Sequence, residues 1–577
     1  MLMKILKYTL YGVFVLGFLS LGIEYGFNPG EYEQELLHRL DILILWYFGL
    51  YYVVRLILSD SKINFVKQRW LESFIVLMVI IHFIYTVVNF GFLQIFDPDI
   101  RIHVPKILVL STQIGFLFII ITEATNLNKK IAELKLHPSH VLLLSFFLII
   151  LIGTGLLMLP GATASGQGLG FIDALFTATS ATCVTGLIVV DTGTYFSQFG
   201  QIIILLLIQI GGLGIMTFTS FFVIIFRRNI SFREKSLAKE ILNYDLVGIM
   251  NQVLKFSILL TFGFELIGAV SLLIFWGHTF SSPGEAIYSS IFHSVSAFCN
   301  AGFSLNSNSL ESFSGNYGVL LTIGSLIIIG GLGFPVLINI FKLPFFSRFK
   351  INLNMYGLHT RLVMLVTSNL LIFGTLFFMI SEWNHTLSEF NLGEKILNAF
   401  FQSVTTRTAG FNSVTISHVQ FVTLVSFMVL MFIGASPGST GGGVKTTTFG
   451  VIIASLKAII KNRPTIELYR REIPMIVFHR AILVVIVSLI YIIISYILLV
   501  WSNNLPYEQL LFELFSAYGT VGLSTGITSQ LNSFGKIIII ISMYFGRVGV
   551  FTLLLAVMRP ASTTARYRYP SANVMVG

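Results

Sequence analysis

Charged residues make up only 11% of the 577 residues, whereas 55% are hydrophobic and the mean hydropathy is +0.85. Soluble domains contain about 25% charged residues, so this composition excludes a soluble protein and predicts one that crosses a membrane several times. The net charge of +10 does not indicate a nucleic-acid partner, because the lysines and arginines cluster in particular loops, as in the positive-inside rule.

The N-terminal extension, residues 1–139, contains four apolar runs long enough to span a bilayer, near 8–26, 41–58, 72–95 and 105–122. Lysines precede the first run, as in a signal peptide, but no clear cleavage site follows, so we expect a retained helix. Basic clusters follow the second and fourth runs and an acidic loop follows the first, which predicts a cytoplasmic N-terminus. The basic residues are Lys62, Lys67 and Arg69 after the second run and Lys129, Lys130 and Lys135 after the fourth. The acidic residues after the first run are Glu24, Glu31, Glu33 and Glu35.

From residue 140 one pattern occurs four times: a long apolar run, a short amphipathic segment that ends in small residues, and a second long run. We predict four repeats, at 140–252, 253–356, 357–476 and 477–577. The short segment cannot span, so we expect a re-entrant helix and loop, whose irregular backbone must be buried or line a water-filled cavity. The predicted segments are 140–160, 171–187 and 200–227; 253–276, 285–303 and 316–341; 358–381, 393–411 and 420–458; and 477–500, 507–523 and 535–558.

Each short segment carries what we call a glycine block, which begins at a phenylalanine and passes a glycine ten residues later. A single glycine of this kind is typical of close helix packing in membranes. Four copies in register at near-constant spacing favour a symmetric architecture within one chain. The copies are FTATSATCVTGLIVV from Phe176, FHSVSAFCNAGFSLN from Phe292, FFQSVTTRTAGFNSV from Phe400 and FELFSAYGTVGLSTG from Phe512, with glycines at Gly186, Gly302, Gly410 and Gly522.

Charge placement supports this topology. The stretches 161–199, 277–316 and 502–534, between the long runs of repeats one, two and four, contain no Lys or Arg, whereas the opposite loops are basic. The blocks are therefore expected to face the outside and the repeat ends the cytoplasm. The predicted fold is an all-α polytopic membrane protein with four M1–pore-loop–M2 repeats around a central pseudo-fourfold pore, plus about four extra N-terminal transmembrane helices.

The chemistry expected of the blocks comes from the backbone. Glycine allows carbonyl oxygens to approach a narrow axis closely, and rings of carbonyls replace the water shell of a monovalent cation. The negative end of each short helix would point toward that axis. No catalytic acid, base or metal-ligand cluster appears in the repeats, so an enzyme is not expected. We interpret Cys183 and Cys299 as small packing residues, and the spacing leaves a disulfide between them open.

The sequences TCVTGL, CNAGFS, RTAGFNS and GTVGLST resemble the pore loops of the Trk/Ktr/HKT superfamily of potassium transporters, over roughly residues 140–577. The N-terminal extension departs from the family pattern. The resemblance implies a pore-forming subunit of the TrkH/KtrB kind, with potassium as the transported ion and no bound cofactor. Gly186 implies potassium over sodium. The implied selectivity filter comprises Thr182, Cys183, Val184, Thr185 and Gly186; Cys299, Asn300, Ala301 and Gly302; Thr406, Arg407, Thr408, Ala409 and Gly410; and Gly519, Thr520, Val521 and Gly522, with K⁺ at the backbone carbonyls of Val184, Asn300, Thr408 and Thr520.

A second set of motifs follows the blocks: GGLG at 211–214 and 330–333, GASPGSTGGGVKTTT at 434–448 and GRVG at 546–549. Proline and several glycines must interrupt the helix in the third repeat. The resemblance implies an intramembrane loop there that obstructs the pore. Arg547 either pairs with a backbone carbonyl to hold helices together or acts in the pore, and the resemblance favours the pore; Arg407 is expected to brace its block from behind. The predicted gate is Gly434, Ser436, Pro437, Gly438, Ser439, Thr440, Gly441, Gly442, Gly443, Lys445 and Arg547.

The family resemblance also implies a homodimer in the plasma membrane, docked on a cytosolic ring of nucleotide-binding regulator-of-potassium-conductance subunits. The basic loops and the segment after Arg559 are the expected docking surfaces. The alternative is a secondary transporter that couples another solute or sodium to potassium movement. Such transporters usually have twofold repeats with broken helices at a midplane site, and this chain has a fourfold pattern.

Overall fold

The computed structural model describes residues 30–57, 138–226, 250–340 and 357–550, with separate positions between 16 and 80 and at 552 and 553. The predicted apolar run at 41–58 lies in a helix. The runs near 8–26, 72–95 and 105–122 lie wholly or almost wholly outside the described residues. So do the basic loops at 227–249 and 341–356 and the tail after Arg559.

Described residues are helical apart from turns and one small hairpin. The helices of the extension and the first two repeats are α1 (Glu31–Ile57), α2 (Pro138–Leu157), α3 (Phe171–Thr182), α4 (Gln198–Phe226), α5 (Met250–Trp276), α6 (Pro283–Phe298), α7 (Tyr317–Leu332) and α8 (Phe334–Ile340). The third and fourth repeats contain α9 (Gly357–Glu382), α10 (Leu392–Thr405), α11 (Phe421–Phe432), α12 (Thr446–Ile460), α13 (Met475–Ser502), α14 (Tyr507–Gly519) and α15 (Ser533–Val548). Strands β1 (Ile466–Leu468) and β2 (Arg471–Ile473) pair antiparallel, with Ile466 opposite Ile473.

The chain forms two compact units. One contains Leu151–Ala178 and Val190–Leu206 together with described residues of the extension. The other contains Leu136–Ile150, Thr179–Val189 and the chain from Leu207 onward. The glycine-containing parts of all four blocks therefore belong to the second unit.

Within the described residues, three helices are long and apolar enough to cross a membrane, namely α5, α9 and α13. Helices α7 and α8 pass the same test together as a pair bent by 104°. The outward faces of the long helices carry large apolar side chains such as Ile274, Ile380 and Ile493, each more than half exposed. Lipid tails cover such surfaces in a bilayer.

Local sequence explains where these helices begin. Asn391 and Glu394 form a reciprocal capping box at α10, with Glu394 N donating to Asn391 Oδ1 at 3.0 Å. Asn316 caps α7 by accepting from Val319 N at 3.2 Å. Ser282 and Pro283 start α6 as N-cap and first helical residue, where proline loses no helical hydrogen bond.

Each block is held by apolar residues at both ends. The first phenylalanine is fully buried in three blocks, at Phe176, Phe292 and Phe512. The residue after each glycine is buried in all four, as Leu187, Phe303, Phe411 and Leu523. This repeated Gly-Leu/Phe pair fixes the turn after the glycine by burying the following side chain.

A glycine interrupts the second long run of repeats two and four. The sequence predicts long runs over 316–341 and 535–558; within them α7 ends at Leu332, before α8, and α15 ends at Val548. Gly333 and Gly549 follow these helices with φ of 89° and 86°. No right-handed helix accommodates such a φ, and Pro335 begins a new direction after Gly333 because it has no N–H for the helix it would continue.

Gly333→Ala is expected to lower the free energy of unfolding by about 1–3 kcal/mol, because its dihedral region is essentially restricted to glycine. A Cβ there would also lie 2.7 Å from Pro437 O. Gly263→Ala on α5 is the matched control, since nothing lies within 4 Å of its added Cβ. Thermal unfolding in detergent measures both, and equal melting temperatures for the two variants would contradict the assignment.

Candidate functional site

The four glycine blocks fold into the same backbone turn. Each glycine has a positive φ: 92° at Gly186, 70° at Gly302, 82° at Gly410 and 90° at Gly522. The residue two positions earlier is left-handed in every block, although none of these is glycine: Val184 (56°), Asn300 (61°), Thr408 (70°) and Thr520 (50°). Such residues are uncommon at positive φ and cluster at functional sites. These four residues are the ones whose backbone carbonyls the family resemblance predicts to bind K⁺.

The four turns close into a ring. A Cβ added to Gly186 would overlap Ala301 O of the second block, and one on Gly302 would overlap Ala409 O of the third. In the same way Gly410 lies against Val521 O, and Gly522 lies against Thr185 O of the first block. The order is therefore one, two, three, four and back to one, and glycine is required both by φ and by the close approach of its neighbour.

Serine side chains support the turns from inside the block helices. Ser180 Oγ accepts from Gly186 N and Ser516 Oγ accepts from Gly522 N, both at 3.1 Å. Ser296 Oγ donates to Phe303 O at 2.8 Å. Three blocks share a Ser-Ala pair, as Ser180-Ala181, Ser296-Ala297 and Ser516-Ala517. The serine hydroxyl explains this pair, because it satisfies a buried backbone group that the turn leaves without a helical partner.

Glycines of the second motifs allow the following helices to touch the block helices. A Cβ on Gly211 would overlap Thr182 O, one on Gly330 would overlap Phe298 O, and one on Gly546 would overlap Tyr518 O. Each of these carbonyls lies at the C-terminal end of its block helix. The motifs thus bring a following helix directly behind the ring in three repeats. In the third repeat Gly434 instead packs on Gly442 O within its own loop.

The third repeat has the predicted interruption, between α11 and α12. The loop between these helices, residues 433–445, is attached to the second repeat by backbone hydrogen bonds. Ser436 N donates to Gly331 O at 3.1 Å and Thr440 N donates to Gly330 O at 3.3 Å. From the other side, Phe334 N donates to Gly438 O at 3.0 Å. The break at Gly333 exposes the backbone groups that the loop uses.

The loop also contacts the ring. Gly442 N donates to the hydroxyl of Thr520, the left-handed residue of the fourth block, at 3.0 Å. Thr440 Oγ1 donates to Phe298 O at 3.3 Å. A Cβ on Gly441 would overlap Thr408 Oγ1. The predicted filter and gate residues are therefore brought together at one place.

Arg547 lies beside this loop and is 1% exposed. Its Nη1 donates to Thr440 O in the loop and its Nη2 donates to Gly211 O on α4. The sequence leaves two roles open for Arg547, and the structure shows the pairing with backbone carbonyls. One of these carbonyls belongs to the loop. The arginine connects the first, third and fourth repeats.

Four further cationic or thiol residues are singled out by the sequence. Lys445 Nζ donates to Gly441 O at 2.8 Å, so it closes the loop on itself. Arg407 is buried, and within the described residues its Nε has no hydrogen-bond partner, so its bracing role stays a prediction. Cys183 and Cys299 are both buried free thiols, and the open alternative of a disulfide is not realised.

Sequence reasoning missed several buried carboxyl and imidazole groups. Glu265 on α5 lies 3.4 Å from Gln209 Nε2, and Glu382, Glu513 and His293 are fully buried. Their signal was available, because an ionisable residue inside an apolar or re-entrant stretch is a functional candidate by default. A comparison of the repeats identifies only residues that the copies share. These ionisable groups each occur in one repeat, so the comparison does not find them.

The fold and the site define a membrane protein with four glycine turns in a closed ring. The family described as TrkH, cation transport protein, matches residues 110–566, and the chain belongs to that family. The membrane and family assignments made from sequence are thereby confirmed.

Named relatives support the family assignment. Ktr system potassium uptake protein B of Bacillus subtilis is 40% identical over 452 residues, which is 78% of this chain and 99% of that protein. Potassium/sodium uptake protein NtpJ of Enterococcus hirae is 39% identical over 459 residues, again 78% and 99%. The crystal structure of the potassium transporter TrkH from Vibrio parahaemolyticus matches with a TM-score of 0.59 at 18% identity, covering 84% of this chain and 96% of that one. At this identity the likeness establishes the fold.

Proposed function

We propose that this chain takes up potassium through a pore whose selectivity filter is the ring of four glycine blocks. The observation that carries the proposal is the closure of that ring, in which each glycine lies against a carbonyl of the next block. Four M1–pore-loop–M2 repeats then surround a central pseudo-fourfold axis, and about four extra transmembrane helices precede them in the sequence. Names of relatives agree in substrate class, since they describe potassium uptake or potassium/sodium uptake.

Potassium coordination would come from the backbone. Alternate positive φ at the glycine and at the residue two before it lets successive carbonyls turn toward one axis. The carbonyls of Val184, Asn300, Thr408 and Thr520 form the proposed K⁺ site, and those of the next residues lie against the neighbouring glycines. Rings of carbonyls replace water around a dehydrated cation. The C-terminal ends of α3, α6, α10 and α14 add their negative partial charge.

The proposed gate has two parts, the loop at residues 434–443 and Arg547. The loop lies against the left-handed residues of the third and fourth blocks, so it would obstruct the path just beyond the filter. The guanidinium adds a positive charge that opposes cations where water is sparse. Its bond to Thr440 O also makes it a latch for the loop. Opening then requires the loop to leave both the arginine and α7.

The remaining assignments rest on the family and on charge. The chain is proposed to act as a homodimer in the plasma membrane, with a cytoplasmic N-terminus, on a ring of nucleotide-binding regulator-of-potassium-conductance subunits. The described hairpin β1–β2 with the exposed Arg470 and Arg471 joins the basic docking surfaces. The alternative, a secondary transporter that couples sodium or another solute to potassium, is separated from a pore by flux under imposed gradients.

Gly186→Ser is expected to lower potassium-over-sodium discrimination roughly tenfold, or about 1.4 kcal/mol, because a side chain there overlaps Ala301 O. Competition of sodium with potassium uptake in proteoliposomes measures the ratio. Gly166→Ser is the matched control, because Gly166 also has a positive φ of 72° but nothing lies within 4 Å of its added Cβ. An unchanged ratio in folded Gly186→Ser protein would remove this role.

Deleting residues within 438–443 is expected to raise potassium flux and make it less dependent on the cytosolic partner. Arg547→Ala is expected to raise flux without altering which ions compete, because it removes the charge and the latch but leaves the ring. Arg547→Lys keeps the charge but not the planar fork that reaches two carbonyls, so its flux should fall between parent and alanine variant. If the deletion and the alanine variant both conduct like the parent, the barrier lies elsewhere.

Assembly is tested by purification in mild detergent with mass measurement. A dimer is expected, with a cytosolic nucleotide-binding partner recovered from native membranes. Replacing the exposed Arg470 and Arg471 by glutamate should weaken partner recovery and leave the dimer intact, because charge reversal opposes an electrostatic docking surface. Monomers alone, with no recovered partner, would count against this proposal.

A further inference from the structure

Two block helices carry an ionisable residue directly after the first phenylalanine of the block. These residues are His293 in α6 and Glu513 in α14, and both have no solvent exposure. The ring order places the second and fourth blocks opposite each other. A buried ionisable group must be compensated by specific partners, so the partners indicate what each residue does.

Glu513 binds the turn that follows Gly522. Its Oε1 accepts from Thr525 N at 3.1 Å and from the hydroxyl of Ser524, and its Oε2 accepts from Thr528 Oγ1 at 3.0 Å. Three donors on one buried carboxylate make charge-assisted hydrogen bonds, which are stronger than neutral ones. The carboxylate therefore connects the middle of the block helix to the backbone just beyond the glycine.

His293 does the same in the second block with different chemistry. Nδ1 lies 2.8 Å from Ser289 O, a carbonyl that can only accept, so Nδ1 carries the proton. Nε2 then accepts from Ser304 Oγ at 3.0 Å and from Leu305 N at 3.4 Å. Ser304 and Leu305 stand at the same places after Gly302 as Ser524 and Thr525 do after Gly522. Trp276 packs against the imidazole with ring centroids 4.9 Å apart.

The other two blocks lack this connection at the equivalent position. In the first block Thr177 donates to Asp173 O of its own helix at 2.9 Å. In the third block the position is Phe401. The turn there is held by the next residue, whose Gln402 Nε2 donates to Ser413 Oγ at 3.4 Å, and by Glu311 from the second repeat. Glu311 accepts from Asn412 Nδ2 at 2.6 Å and from Thr415 Oγ1 at 2.9 Å.

We propose that Glu513 and His293 are positioning residues that fix the turns after Gly522 and Gly302, on opposite sides of the ring. By fixing these turns they set the ratio of potassium to sodium that the ring passes. This inference rests on the proposed function of the ring as a selectivity filter. A turn that is held on both sides of the glycine cannot widen or narrow freely, so its carbonyls keep one spacing. Loss of either brace lets the ring adapt to a cation of another size.

The test uses the full chain in proteoliposomes with potassium uptake competed by sodium. Glu513→Gln keeps one accepting oxygen, whereas Glu513→Leu keeps none. The potassium-over-sodium ratio should therefore decrease slightly in the glutamine variant and roughly tenfold in the leucine variant. Ser524→Ala removes one donor from the other side and should lower the ratio less. His293→Phe fills similar space without an acceptor and should lower the ratio as well.

Glu382→Gln is the matched control, since Glu382 is an equally buried carboxylate that accepts from Gln420 N at 2.9 Å and Thr423 Oγ1 at 2.6 Å outside the glycine blocks. Its substitution should lower the melting temperature and leave the ion ratio unchanged. If Gly186→Ser changes the ratio while the Glu513 and His293 variants keep the parental value, the filter stands and the braces are refuted. If Gly186→Ser also keeps it, the proposed filter fails. Should Glu513→Leu not fold, Glu513→Gln and Ser524→Ala decide the outcome.

Discussion

The contact on which the rest of this structure depends is the packing of each block glycine on a carbonyl oxygen of the next block. The contact needs a residue without a side chain and with positive φ, and both conditions hold at four positions. Closing the ring fixes the ends of four short helices at one place. The serines behind the turns and the apolar residues after the glycines then hold the backbone in a conformation that isolated turns would not keep.

Ring and loop form one connected structure. The loop between α11 and α12 has irregular backbone in a chain that lies in a membrane, where each unsatisfied polar group costs several kcal/mol. Three of its N–H groups donate to the carbonyls of Gly330 and Gly331 and to the hydroxyl of Thr520. The glycine break after α7 provides part of that surface. A movement of the loop would therefore have to exchange these hydrogen bonds for others.

Several buried ionisable side chains connect separate segments of the described structure. Arg547 joins α4 to the loop between α11 and α12, and Glu513 joins a block helix to the turn after its own glycine. Glu382 accepts from Gln420 and Thr423 near the start of α11. Removing one partner from such a contact leaves a charge without compensation, which is far more costly than losing a surface ion pair. These side chains resist rearrangement of the segments they connect.

The sequence by itself determined the membrane class, the glycine blocks, the membership of the family and the interruption of the third repeat. Composition, repeat spacing and helix-breaking residues are read directly from the order of the residues and require no knowledge of tertiary contacts. Only the tertiary structure decided that the helices of repeats two and four end at Gly333 and Gly549, and that Arg547 bonds to Thr440. It also decided which of the unrepeated ionisable residues, such as His293 and Glu513, meet the turns beyond the glycines. Those outcomes depend on how the backbone turns and how the segments pack in three dimensions, and the pattern of residue types alone does not encode that packing.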